Sequence, residues 1–475
     1  MVGICAYGAY VPVYRLSLGE IARATGGFSP PGEKAVANFD EDAITIATEA
    51  ALNCLKSNGG INHSDIEGLY FATTTSPFKE KQAAVTISTA LDMKREIVTQ
   101  DLFGSLRAGT SALRSALDTV KAGSANKIMV TASDCRLAYP ESPLEQVVGD
   151  GGAAFLIGTT DMAVEIEGSF SLADEITDLW RRDGDRFVRG WEERFNVTEG
   201  FMRVVKESIG KAVSKFGVEL SELDRVIYYA PDARSHANLA KTLGINYKTQ
   251  VQRPLFDSVG NMGAASALFQ LAAALDEARP GDRILVASYG NGSDVFLLKV
   301  TDAIENVRDG LMVNKLITSK KMLSNYHSYL NLRGLVQTEP GRQPPINPPA
   351  TTIWREQEGL LRFHGSKCKN CGNVQYPIQR ICSKCESKDE FDEIRLSDQK
   401  ARVYLSTIDT LGYGAESSPM WAVSDMPVGV RLRLQITDCD SLEDVPTETE
   451  LEPTFRKFQR QGDIPVYFWK LRLPR

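Results

Sequence analysis

The chain has 475 residues, 43% hydrophobic and 24% charged, with a net charge of −7. That length fits two to four domains, and that balance fits ordinary globular cores rather than disorder. The acidic charge disfavours nucleic acid as the main partner. No run approaches ~20 uninterrupted apolar residues, so no membrane span is expected. Eight cysteines in this length do not make a disulfide framework, and a reducing cytoplasm is the expected setting.

Met1 to Arg15 has no basic leader before its apolar stretch and reads as a first strand, not a signal peptide. Ala43 to Leu55 carries Ile44, Ala47, Ala51 and Leu55 at helical spacing. A strand is expected over Gly68–Thr73 and a helix over Arg107–Ala122, with Gly123 as its cap. Strands Lys127–Ala132 and Ala153–Ile157 follow. The second half repeats this order: helix Phe201–Val213, strand Arg225–Ala230, small-residue helix Gly263–Leu275, and strands Arg283–Ser288 and Val295–Val300. Gly68 and Val226 stand 158 residues apart, and Lys127 and Arg283 stand 156 apart. The near-constant offset predicts a duplicated α/β fold with helices between stacked sheets.

Gln337 to Thr352 holds Pro340, Pro344, Pro345, Pro348 and Pro349. Such a segment is expected to be extended rather than helical, a connector between body and C-terminal module. The expected domains are 1–160 and 161–336 for the two halves, 337–353 for the linker, 354–390 for a metal-binding ribbon and 391–475 for a small all-β barrel. In that barrel Val430, Leu432, Leu434 and Ile436 alternate with polar residues, as do Tyr467, Trp469, Leu471 and Leu473, so each strand should be half-buried. Arg402–Ile408 is a third strand.

Cys368-x2-Cys371-x10-Cys382-x2-Cys385 places two thiolate pairs on two turns. Four sulfurs complete a tetrahedral zinc shell with no open position, so the ion should be structural. Gly372 follows the second ligand, where such a turn often needs positive φ.

Several motifs occur together in one order: Ala6-Tyr-Gly-Ala-Tyr-Val-Pro-Val-Tyr-Arg15, Asp40-Glu-Asp-Ala-Ile-Thr-Ile46, Val148-Gly-Asp-Gly-Gly-Ala-Ala154, Gly260-Asn-Met-Gly-Ala-Ala-Ser266 and Ser288-Tyr-Gly-Asn-Gly-Ser-Asp294. With these, Met1 to about Gly334 resembles the thiolase superfamily, and within it the prokaryotic 3-hydroxy-3-methylglutaryl-CoA (HMG-CoA) synthases. The chain after the linker resembles the zinc-ribbon plus OB-fold proteins that accompany thiolases and bind acyl-CoA. The resemblance implies a duplicated five-layered thiolase fold, a zinc ribbon, an OB-fold barrel, a coenzyme A thioester as substrate and a homodimer. Further thiolase-pathway subunits are open as partners.

The resemblance also marks where the chain departs from the family. Its nucleophilic cysteine sits in a Cys-x-x-Gly-Thr setting, and Ser105-Leu-Arg-Ala-Gly-Thr110 puts Leu106 there. Leucine cannot form a thioester, and Ser105 is one position off. The family histidine lies in His-x-Pro, which here reads Tyr229-Ala-Pro231. Glu41 matches the family's general acid/base, and Asn261 matches an asparagine that holds the acyl carbonyl. Residue by residue, each has a plainer reading: Glu41 as a solvated residue in a helix's first turn, Tyr229 as a core aromatic, Asn261 as a turn residue.

The implied chemistry is non-covalent aldol or retro-aldol reaction of a β-hydroxyacyl-CoA. Glu41 would be the base. Tyr229, Asn261 and backbone amides near Leu106 or Ser293 would hold the enolate oxygen. Some thiolase-fold proteins with zinc-ribbon/OB partners resemble this case, cleaving steroid side-chain acyl-CoAs with tyrosines and no cysteine. A non-catalytic acyl-CoA-binding scaffold, and a conventional acyltransferase with another nucleophile, remain open alternatives.

Overall fold

The computed structural model describes residues 1–57, 61–308, 312–337, 347–410, 418–458 and 464–475. They form two compact units. The first gathers 1–37, 42–88 and 93–329; the second gathers 38–41, 89–92 and 330–475.

In the first unit, β1 (Gly3–Tyr10) leads to helix α1 (Ala43–Leu55). Asp42 and Thr45 cap α1 reciprocally, each side chain meeting the other's backbone N–H at 3.1 and 2.9 Å. Next come β2 (Gly68–Ala72), β3 (Val98–Leu102), α2 (Ala108–Lys121), β4 (Ile128–Asp134) and β5 (Gly151–Gly158). The second half supplies β6 (Val164–Ala173), α3 (Arg203–Phe216), β7 (Arg225–Tyr228), α4 (Ser266–Leu275), β8 (Arg283–Ala287) and β9 (Gly292–Val300).

The strand order is β7-β8-β9-β6-β1-β5-β4-β2-β3. In each half a parallel pair (β2 with β4, β7 with β8) continues through two antiparallel pairings to β1 or β6. The duplication is therefore real, but the halves are not separate sheets. Antiparallel partners Gly3–Glu165 and Ile4–Val164 join β1 to β6, so nine strands run continuously. Every residue of α4 is buried. Gly109 on α2 lets α4's leading turn approach: a Cβ there would stand 2.4 Å from the Ala264 carbonyl oxygen.

In the second unit, β10 (His364–Cys368) pairs antiparallel with β11 (Val374–Gln375) and β12 (Phe391–Arg395), making the ribbon. The strands β13 (Ala401–Ile408), β14 (Met420–Asp425), β15 (Arg431–Ile436), β16 (Glu450–Lys457) and β17 (Tyr467–Arg472) close a barrel in the order β13-β14-β15-β17-β16. With β15 and β17 parallel and β13 antiparallel to β16, this is the Greek-key closure of an OB fold.

Two expectations change. Most of the proline-rich segment, 338–346, lies outside the described residues, but its end is helical: Ala350–Arg355 starts immediately after Pro349. Proline is tolerated ahead of a first turn because the N–H it lacks has no intrahelical partner there. And β17 is buried on both faces, not one. Its polar positions Lys470 and Arg472 meet Asp40 and Glu452, at 2.9 Å each, instead of water.

Candidate active site and zinc site

Three segments of the first unit converge near the start of α2. Leu106 lies in the turn that precedes the helix, half-buried, and packs against the apolar cluster that contains Phe201, Tyr229 and Tyr289. The Ser105 hydroxyl donates to the Gly290 carbonyl at 2.9 Å. A Cβ on Gly290 would stand 2.9 Å from the Leu106 nitrogen, so the two backbones meet only with glycine at 290.

Tyr229 follows β7 and is 3% exposed. Its ring lies 6.0 Å from Tyr289, nearly parallel, and 6.5 Å edge-on from Phe201. The Tyr289 hydroxyl donates to the Asp178 carboxylate at 2.6 Å. Burial pushes the Tyr229 pKa up; the Arg136 guanidinium and the Asn261 amide oppose this, and burial wins. At neutral pH Tyr229 is a neutral phenol, able to donate.

Asn261 is buried and heavily used. Its Oδ1 accepts from Arg136 Nη2 at 2.7 Å, the Gly263 N–H at 2.9 Å and the Ser266 hydroxyl at 3.2 Å. Its Nδ2 donates to the Ala230 carbonyl at 3.0 Å. The amide thus ties the Tyr229-Ala-Pro231 turn to Arg136. Ser293 sits on β9 with its hydroxyl enclosed and no hydrogen-bond partner among the described residues. Its neighbour Asp294 accepts from Thr110 at 2.9 Å and Ser171 at 2.7 Å.

Asn261 is thus tied to the Tyr229 segment by hydrogen bonds, and Leu106 packs against the apolar cluster to which Tyr229 belongs. Sequence reading missed Arg136, Tyr289 and Asp178. Tyr289 was visible inside Ser288-Tyr-Gly-Asn-Gly-Ser-Asp294. Arg136 was visible as a cation two residues beyond the strand that ends at Asp134.

Glu41 belongs to the second unit, with the barrel. Its Oε1 ion-pairs with Arg456 Nη1 at 2.5 Å, and its Oε2 accepts the Asn38 N–H at 2.8 Å. Arg456 also pairs with Asp438 at 2.8 Å. Lys470 and the Thr437 hydroxyl both reach Asp40 Oδ2 at 2.9 Å. Burial alone would raise the Asp40 pKa, but Lys470, Arg456 and these hydrogen bonds lower it. Glu41 is not a solvated first-turn residue: its side chain is 1% exposed.

The four ribbon cysteines converge, with all sulfurs within 4.8 Å of one another. The Cys368–Cys385 and Cys371–Cys382 sulfurs lie 3.6 and 3.5 Å apart. Sulfurs ~2.3 Å from a tetrahedral zinc are about 3.8 Å from each other, so the set fits that ion. Matching turns hold the pairs: Gly372 N–H to Cys368 O and Glu386 N–H to Cys382 O, 2.9 Å each, with Gly372 at φ 71°. The Ser387 hydroxyl stands 3.2 Å from both Cys368 and Cys385 sulfurs and can orient them.

Residues 213–297 match the family described as 3-Oxoacyl-[acyl-carrier-protein (ACP)] synthase III C terminal. Residues 360–392 match the ChsH2 rubredoxin-like zinc ribbon domain. The hydroxymethylglutaryl-CoA synthase of Thermococcus sibiricus is 35% identical over 339 residues, covering 70% of this chain and 96% of that protein. The one from Archaeoglobus fulgidus is 33% identical over 343 residues, covering 70% and 98%. A solved HMG-CoA synthase complexed with CoA superposes with a TM-score of 0.64 at 18% identity, over 73% of this chain and 94% of that one. The body's duplicated fold and its likeness along nearly the full length of these relatives place the chain in the hydroxymethylglutaryl-CoA synthase family of condensing enzymes, here with a C-terminal zinc ribbon and β-barrel.

Proposed function

We propose that this protein makes or breaks a carbon–carbon bond of a β-hydroxyacyl-CoA by aldol chemistry, without an acyl-enzyme. What supports this reading is the buried, neutral Tyr229 phenol with Asn261 and Arg136 about it, in a chain whose sequence puts Leu106 where the family's nucleophile is expected. In the cleavage direction a base takes the β-hydroxyl proton, the Cα–Cβ bond breaks, and its electrons pass to the thioester as an enolate. Protonation at Cα then yields an acyl-CoA and a ketone or aldehyde. The enolate oxygen is the charge to be stabilised, and a neutral phenol beside a guanidinium suits it. Glu41 is the carboxylate we assign to the proton.

Coenzyme A enters because solved relatives hold it. A homodimer in the cytoplasm completes the proposal. The test is incubation of purified protein with β-hydroxyacyl-CoAs, and with acyl-CoA plus ketone, read by mass spectrometry. Turnover without a protein adduct supports the reading. Binding without turnover in either direction refutes it in favour of a scaffold, and a stoichiometric acyl-enzyme refutes it in favour of a conventional acyltransferase.

A further inference from the structure

Away from the four cysteines, the ribbon carries a second convergence of ligating atoms. His364 opens β10, and Glu393 lies on β12. In the antiparallel register His364 faces Arg395 and Ser366 faces Glu393, so His364 and Glu393 are diagonal neighbours on one face of the sheet. Glu358, on the short helix Gln357–Leu360, brings a third donor. His364 Nδ1 stands 2.8 Å from Glu393 Oε2 and 3.9 Å from Glu358 Oε2. One ligand atom from each of the three lies within 4.8 Å of the other two.

Spacing, tautomer and charge each separate this set from an ordinary surface ion pair. Nitrogen and oxygen ligands ~2.1 Å from a metal ion stand about 3.0–3.4 Å from one another at octahedral or tetrahedral angles, and the two observed separations bracket that range. The other ring nitrogen, Nε2, lies 3.0 Å from Asp92 Oδ2, and Arg362 holds Asp92 in turn at 2.7 Å. A carboxylate on the second nitrogen is the usual setting of a metal-bound imidazole, because it fixes the tautomer and frees the Nδ1 lone pair. Asp92, Glu358 and Glu393 set three negative charges about one ring. Arg362, 3.1 Å from Glu358, and Arg395, whose charge is felt at Asp92, answer only part of that. Burial disfavours charge on the ring, yet Asp92 and Glu393 raise its pKa, so the surroundings favour a cation at this point. Glu393 is exposed, which gives an ion a route from solvent.

We propose that His364, Glu393 and Glu358 form a second divalent-metal site, built of nitrogen and oxygen donors with water completing the shell. The ion replaces the proton between Nδ1 and Glu393, and that proton leaves to solvent. Glu358 shares its oxygen with Arg362 and is the weakest of the three ligands. One imidazole and two carboxylates suit zinc, cobalt(II) or manganese(II), in contrast to the four sulfurs of the ribbon site. The site stands apart from the acyl-CoA reading and does not depend on it.

The experiment titrates cobalt(II) into the full-length protein with its ribbon already loaded with zinc. Zinc holds the thiolates more tightly than cobalt, so cobalt reports on the second site. One equivalent is expected to bind, with weak d–d absorption and no thiolate-to-cobalt charge-transfer band. Calorimetric heats should vary with the buffer, because a proton is released. His364→Gln should lose this equivalent and keep the ribbon zinc. Asp92→Asn should keep it with affinity lowered ~10- to 100-fold.

No saturable cobalt binding by the wild type overturns the proposal and leaves an ion-pair network only. Unchanged binding in His364→Gln also overturns it, by placing the ion elsewhere, and a charge-transfer band does so by placing it on the ribbon cysteines. If His364→Gln does not fold by thermal melting, Glu393→Gln, at an exposed side chain, decides in its stead: loss of the equivalent supports the site, and full retention refutes it.

Discussion

Arg456 holds Glu41 across 415 residues of sequence: the guanidinium reaches Glu41 Oε1 at 2.5 Å with both side chains at most 1% exposed. The same guanidinium pairs with Asp438, so two cations, Arg456 and Lys470, meet three buried carboxylates. Removing one partner of a buried ion pair strands the others without water. Arg456→Met should therefore cost about 3–5 kcal/mol in urea unfolding, with Arg456→Lys recovering part of it. A loss below ~1 kcal/mol would show the cluster to be energetically neutral.

Glu41 and Tyr229 are separated by kinetics. If Tyr229 donates to the enolate oxygen, Tyr229→Phe should lower kcat by ~100- to 1,000-fold on a substrate the parent turns over. Glu41→Gln should lose at least as much if it moves the proton. Both should still bind coenzyme A. A Glu41→Gln variant that is less stable but turns over normally would leave Glu41 as the anchor of Arg456 alone.

Leucine at the helix start predicts the absence of an adduct. Intact mass after incubation with acetyl-CoA should be unchanged. Leu106→Cys is expected to acylate slowly at best, because Tyr229 offers no imidazole to draw off the thiol proton. Stoichiometric acylation of the wild type at any body residue would defeat the Leu106 assignment.

The ribbon predicts about one tightly held zinc per chain. Metal analysis of protein purified without chelator should find it, and Cys382→Ser should abolish it and open β10–β12 to protease. Neither zinc nor iron in the wild type would contradict the sulfur geometry.

His364 predicts a pH dependence. Its Nδ1 lies 2.8 Å from Glu393 and its Nε2 3.0 Å from Asp92, with Glu358 at 3.9 Å and Arg362 pairing with Asp92 at 2.7 Å. Burial works against charging the ring, but the Asp92 and Glu393 hydrogen bonds outweigh it, and the pKa is raised. A raised pKa gives stability that is fully present below the unfolded value, ~6.5, and is lost as pH rises through the folded value. The melting temperature should therefore fall from pH 6 to pH 8, and His364→Gln should flatten that part of the profile. An identical profile in the variant would mean that His364 contributes nothing.

The primary structure alone determined what is local. The 3.6-residue period set α1 at Ala43–Leu55, and the equal spacing of two element series disclosed the duplication. Cys-x2-Cys pairs disclosed the zinc site, because metal ligands on tight turns are close in sequence as well as in space. Motifs in fixed order disclosed the family. Tertiary structure decided what depends on pairing over distance. The strand Tyr467–Arg472 alternates like a half-exposed one, yet Asp40, some 430 residues away, buries its Lys470. Glu41 reads as a helix-start residue until Arg456 is seen against it. Arg136 carries no motif at all. Its meaning lies in which groups surround a desolvated charge, and that is settled only when chain segments from 73 to 264 close around it.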